Sequence, residues 1–212
     1  VNLIAAHASR FTWSWRKAPL FTIHGGLVVL LLSELITGLF ARETEMTLDE
    51  GAVRSYSEAP RHAELVIVDS SSPERDRVWA IAQKWLGSGD LIEHDTLPFR
   101  VKVHRYYQNS RVFLPTSFAE TNAPLANRGI GAKLRLMEQP RDVTTDGRNT
   151  VSAVVELIGP GGPLGVWMVS TAIDEPQRFE HNGRSYWIAM RPERFYRPYS
   201  IELLKFTHER HP

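Results

Sequence analysis

The 212-residue chain carries 25 Lys and Arg against 24 Asp and Glu, a net charge of +1 that argues against a nucleic-acid surface or an acidic interaction tail. It has no cysteine, which excludes disulfides and thiolate metal sites and leaves the fold to be held by packing. About 170 residues follow the first 40, enough for one domain with a real hydrophobic core.

Positions 1–17, VNLIAAHASRFTWSWRK, mix apolar and basic residues with Trp13 and Trp15, a composition suited to the headgroup level on the cytoplasmic side of a membrane. The next segment, Ala18 to Phe40, reads APLFTIHGGLVVLLLSELITGLF and contains no Lys, Arg or Asp. As a helix it would reach roughly 34 Å, enough to cross a hydrocarbon core of about 30 Å. It is longer than the apolar region of a cleaved secretion signal, the rival reading, and fits a transmembrane anchor better. Arg10, Arg16 and Lys17 precede it without an acid, whereas positions 41–50 hold Arg42 against Glu43, Glu45, Asp49 and Glu50. The positive-inside rule then places residues 41–212 outside the cytoplasm. The chain begins at Val1 without Met and reads as a piece of a longer protein.

After a polar run, four consecutive aliphatics in 64–69 (ELVIVD) suit a buried strand. Ser72 as cap, Pro73 in the first turn, and Val78, Ile81, Ala82, Trp85 and Leu86 at helical spacing before Gly87 predict one soluble helix. Strands are expected at 99–107, 133–138, 150–158, 165–172, 177–181, 184–191 and 199–206. Asn182-Gly183 predicts a type I′ hairpin turn, and 159–165 (GPGGPLG) a longer hairpin loop. Positions 115–130, with Pro115 and Pro124, read as an irregular excursion. The expected architecture is mainly β: a membrane helix followed by an antiparallel sandwich or open barrel with one packed helix.

Two ionisable residues lie inside the span, His24 and Glu34, and such groups in lipid are functional candidates. A neutral imidazole is a common metal ligand and an axial ligand for haem iron. Gly25 and Gly26 beside it would admit a flat macrocycle or a second helix. The structural alternative is an imidazole hydrogen-bonded to a neighbouring helix. Glu34 stands about 15 Å further along the axis and roughly 80° around it, so the two cannot share one metal. It fits a polar contact within a larger bundle or a proton path, and both residues imply further helices. His208 and His211 have the spacing of a metal pair but no nearby third ligand, and read as a solvated turn. His62, His94, His104 and His181 read as surface or strand positions, and His7 as part of the interfacial segment. Tyr106, Tyr107, Tyr186 and Trp187 could line a pocket but fit cross-strand packing. No Walker loop, nucleophile elbow or His-Glu-x-x-His motif occurs, and no carboxylate pair can be argued.

The span FTIHGGLVVLLLSELITGLF followed by EMTLDEG at 45–51 resembles the third transmembrane helix and exit segment of ResB-like proteins, also called CcsB, of the system II cytochrome c biogenesis pathway. LPFRVKV at 97–103 resembles that family's Leu-Pro-Phe strand, and IELLKFTHERHP at 201–212 the strand and basic turn before its Gly-Thr motif. The resemblance implies a non-enzymatic subunit of the cytoplasmic (inner) membrane with a large periplasmic domain. Such a subunit works with a CcsA or ResC partner to move haem outward and present it to apocytochrome c. It also implies that His24, the position matching a transmembrane histidine implicated in haem binding, holds haem iron axially. Two earlier spans, a final span and the Gly-Thr motif of that family have no counterpart within these residues, and no residue of the soluble domain matches a known catalytic role. The alternative function is a membrane-anchored extracytoplasmic binding or scaffold module without haem.

Overall fold

The computed structural model describes residues 14–87, 89, 91–115, 124–144 and 147–207, and divides into two units, residues 1–43 and 44–212.

In the first unit a 3₁₀ turn at Trp15–Lys17 leads into helix α1, Ala18–Phe40. Pro19 sits in the first turn, where no intrahelical donor is lost. Ala41 ends the helix in an extended conformation, with its N–H donating to the Thr37 carbonyl at 2.8 Å. No residue of α1 is buried, although its mean hydropathy reaches 1.9. Thr22 and Ser33 turn their hydroxyls back onto the carbonyls four residues earlier, at 3.0 and 2.8 Å. Polar side chains on a helix in lipid find partners in this way. Length, composition and the uncovered apolar surface fit a membrane crossing.

The second unit is mainly β and antiparallel throughout. Its strands are β1 (Val53–Asp69), β2 (Arg77–Ala82), β3 (Leu91–Ile92), β4 (Arg100–Tyr107), β5 (Ser110–Phe113), β6 (Arg135–Glu138), β7 (Ser152–Gly159), β8 (Gly162–Ser170), β9 (Gln177–His181) and β10 (Arg184–Glu202). One four-stranded sheet runs β2-β1-β10-β9, a second runs β3-β4-β7-β8, and β5 pairs with β6. Leu65, Ile67 and Ile188 from the first sheet share one buried cluster with Val101, Val155 and Val169 from the second, so the core lies between the two sheets. A buried chain of hydroxyls, Ser110 to Ser152 at 2.7 Å and Ser152 to Ser170 at 2.8 Å, joins β5 to β7 and β8 without leaving a polar group orphaned.

The predicted soluble helix is corrected. Arg77 to Ala82 is strand β2, paired with β1 from Glu64↔Ala82 to Asp69↔Arg77, and only Gln83–Leu86 forms a turn of helix, α2. The apolar residues fit two periods at once. Pairing with β1 selects period two, with Trp79 and Ile81 in the core and Val78 and Ala80 on the other face. Trp85, read as part of a helical stripe, is 59% exposed. The strand expected at 184–191 runs on to Glu202 as β10, taking in only 199–202 of the strand expected at 199–206, and the strand at 64–69 extends back to Val53 through residues read as a polar connection. Between Glu58 and Ala63 the β1/β10 ladder loses register, where Pro60 and Pro192 supply no donor. The turn in GPGGPLG is only Pro160-Gly161, because β7 and β8 pair up to Gly159↔Gly162. The Asn182-Gly183 turn forms as expected, with φ of 50° and 71°. Residues 124–129 contain no strand, and the rest of the expected excursion falls partly outside the described residues.

Candidate functional site

The helical spacing of α1 sets what its histidine can do. His24 Nδ1 lies 2.8 Å from the Leu20 carbonyl oxygen, one turn back. A carbonyl only accepts, so Nδ1 is the donor in this bond, and Nε2 is the ring nitrogen that a metal would take. Metal-bound histidines are commonly arranged this way, with the second ring nitrogen donating to a backbone carbonyl that fixes tautomer and ring orientation. Beside it, a Cβ built on Gly25 or Gly26 would meet no heavy atom within 4 Å, so this flank of the helix is open to a flat ligand or a second helix. The residues fit an axial iron ligand: a ring held through Nδ1 by a backbone carbonyl, beside two glycines that leave room for a flat group.

Glu34 is exposed on the same helix and has no hydrogen bond or ion pair among the described residues. The axial separation derived from helix geometry, about 15 Å, keeps the two in separate sites.

The remaining histidines do not gather. His62, His94 and His104 are exposed, with His104 Nε2 at 2.9 Å from Glu156 on the neighbouring strand. His181 ends β9 with its ring 6.0 Å from that of Phe99. His7, His208 and His211 lie outside the described residues. Among the described residues no group of three or more His, Asp and Glu is placed to hold a metal ion. Tyr186 belongs to the core, stacked 5.4 Å from Phe179 and edge-on to Phe99 at 5.3 Å, so it lines packing rather than a pocket. Burial raises its hydroxyl above the ordinary value, and the nearby Asp69 adds to this.

Sequence reading missed one feature, a groove of about 1030 Å³ beside β2 and β3. Its signal was hidden because 78–86 also fits a helical period. The helix assignment tilts the His24 side chain toward the preceding turn, but which ring nitrogen meets the Leu20 carbonyl depends on the ring's own rotation. No protein-family model matches the chain, and no curated protein matches it significantly.

Proposed function

We propose that this chain is a haem-handling assembly subunit of the ResB-like type, in which His24 Nε2 ligates the iron of haem in transit within the membrane. The observation that supports the reading is the Nδ1–H to Leu20 carbonyl bond, on a helix of membrane-spanning length, an arrangement common among histidines that bind metal through Nε2. In this reading haem is cargo. His24 supplies one axial bond, a CcsA or ResC-type partner or another helix supplies the second, and Glu34 makes a polar contact within the bundle. The β unit docks partner or apocytochrome on the periplasmic side of the inner membrane. The resemblance of 21–40, 45–51, 97–103 and 201–212 to that family supports the same reading.

The test is spectroscopic. The full chain purified from membranes with its partner should show a Soret band, which His24→Ala removes or weakens and added imidazole partly restores. A spectrum unchanged by His24→Ala would rule out the ligand role. A colourless preparation in which His24→Ala only lowers assembly yield would instead support a scaffold without haem.

A further inference from the structure

The groove beside β2 follows a strand's edge. All six residues from Arg77 to Ala82 line it, as do Leu91 and Ile92 of β3. Successive side chains of a strand point to opposite faces, so a groove touched by six in a row runs along the backbone itself. β2 ends one four-stranded sheet and β3 ends the other, so two strand edges border one opening. Each edge presents N–H and C=O groups on the side away from its single neighbour, a template for a further strand. RVWAIA has no proline or lysine and its ladder with β1 runs without a bulge, so its one charged residue, Arg77 at the end, is the only such protection within the strand. Val78 and Leu91 at the opening are 44% and 41% exposed.

The rim favours carboxylates. The Arg77 guanidinium stands 6.0 Å from the Trp79 ring and the Lys84 ammonium 5.5 Å from the Trp85 ring, near the two ends of β2. Glu93 is answered by Arg100 at 3.5 Å. Trp79 Nε1–H donates to Thr96 Oγ1 at 2.9 Å, which leaves the Thr96 hydroxyl hydrogen for His94 Nδ1 at 3.0 Å. The Thr96 N–H also points at that nitrogen, at 3.3 Å. With Nδ1 accepting, His94 carries its proton on Nε2, adding a donor to the wall rather than a metal ligand.

We infer that this groove takes an extended peptide of a partner protein, added to β2 as a fifth strand of the β2-β1-β10-β9 sheet, with acidic side chains meeting Arg77 and Lys84. A second copy of this chain fits less well. In an antiparallel self-pair the Arg77 end of one copy would meet the end of the other copy that leads to Lys84, bringing like charges together with no carboxylate in β2 to answer them. The inference goes beyond the haem reading and does not depend on iron at His24.

In strand addition the main-chain bonds provide the affinity, so a generic strand serves as probe. Fluorescein-labelled Glu-Val-Thr-Val-Thr-Val-Glu is titrated into the full chain in detergent and followed by anisotropy. Saturable binding is expected. N-methylation of the odd-numbered or of the even-numbered peptide residues should abolish it in one case and spare it in the other, because only one edge of the added strand faces β2. Arg77→Glu with Lys84→Glu should weaken binding about tenfold, and the Lys-ended version of the peptide should then bind in its place. Three results would overturn the inference: no saturable binding, equal binding of both methylated forms, or a dimer in sedimentation that the peptide dissociates, which would give the edge to a second copy.

Discussion

At the scale of single residues, the β unit depends on polar groups that are buried together with their partners. Arg191 Nε donates to Glu64 Oε1 at 2.8 Å from directly across the β1/β10 ladder, and the two side chains are only 14% and 7% exposed. Removing one member leaves the other charge desolvated and unanswered. Glu64→Ala should therefore lower unfolding stability by about 3 kcal/mol, while the double change Glu64→Ala with Arg191→Met recovers much of the loss. Urea denaturation followed by tryptophan fluorescence checks both, and a loss under about 1 kcal/mol for the single change would contradict it. Asp69, at the end of β1, shows a second balance. Burial alone would raise its pKa, but the Ser71 hydroxyl and N–H and the Arg184 guanidinium outweigh it and hold the carboxyl below its ordinary value. A carboxylate depressed in the folded state adds stability above its unfolded pKa, about 3.9, and loses it as pH falls through the lower folded value. Wild-type stability should thus drop below about pH 4, and Asp69→Asn should flatten that drop. Denaturation midpoints between pH 7 and 3 measure it, and parallel curves would refute the assignment.

At the scale of elements, turn chemistry separates two kinds of glycine. Gly183 has φ of 71° in the β9–β10 turn, and a Cβ there would meet nothing within 4 Å. Gly183→Ala should therefore cost only the left-handed backbone strain, about 1 kcal/mol. Gly131 has no positive φ, but a Cβ there would lie 2.7 Å from Met168 Cβ and 3.0 Å from the Met168 backbone nitrogen. Gly131→Ala should cost more, about 2 kcal/mol or above, because that neighbour includes backbone. Thermal melts of the two variants give the order, and a larger loss at Gly183 would reverse the argument. The same contrast explains what was legible in advance. Asn182-Gly183 declares its turn locally, the alternation in 100–103 and the apolar run of 152–159 declare their strands, and 177–181 is bounded by the turn that follows it. The helix expected after Pro73 failed because 78–86 satisfies periods of two and of 3.6, and only pairing with β1 decides between them. The first half of β1 was hidden because its charged and polar residues leave no apolar alternation, and its partner lies at the other end of the chain.

At the scale of the whole molecule, one unit supplies an uncovered apolar helix and the other a self-sufficient β core. That division was readable from composition, since 18–40 holds no Lys, Arg or Asp while the strands carry charges between their apolar residues. The pairing order of the strands was not readable, because β1 meets β10 and β4 meets β7 through contacts that no local pattern encodes. The candidate ligand was readable as His24, but its ring orientation was not, since that depends on the carbonyl one turn back. The central claim is a bond from His24 Nε2 to haem iron. Pulsed electron paramagnetic resonance of the ferric protein, purified as the full chain with its partner after ¹⁵N-histidine labelling, measures that bond directly. The account predicts a ¹⁵N coupling to the iron that disappears in His24→Ala and leaves any second axial ligand in place. A spectrum with the same nitrogen couplings in both proteins would contradict it.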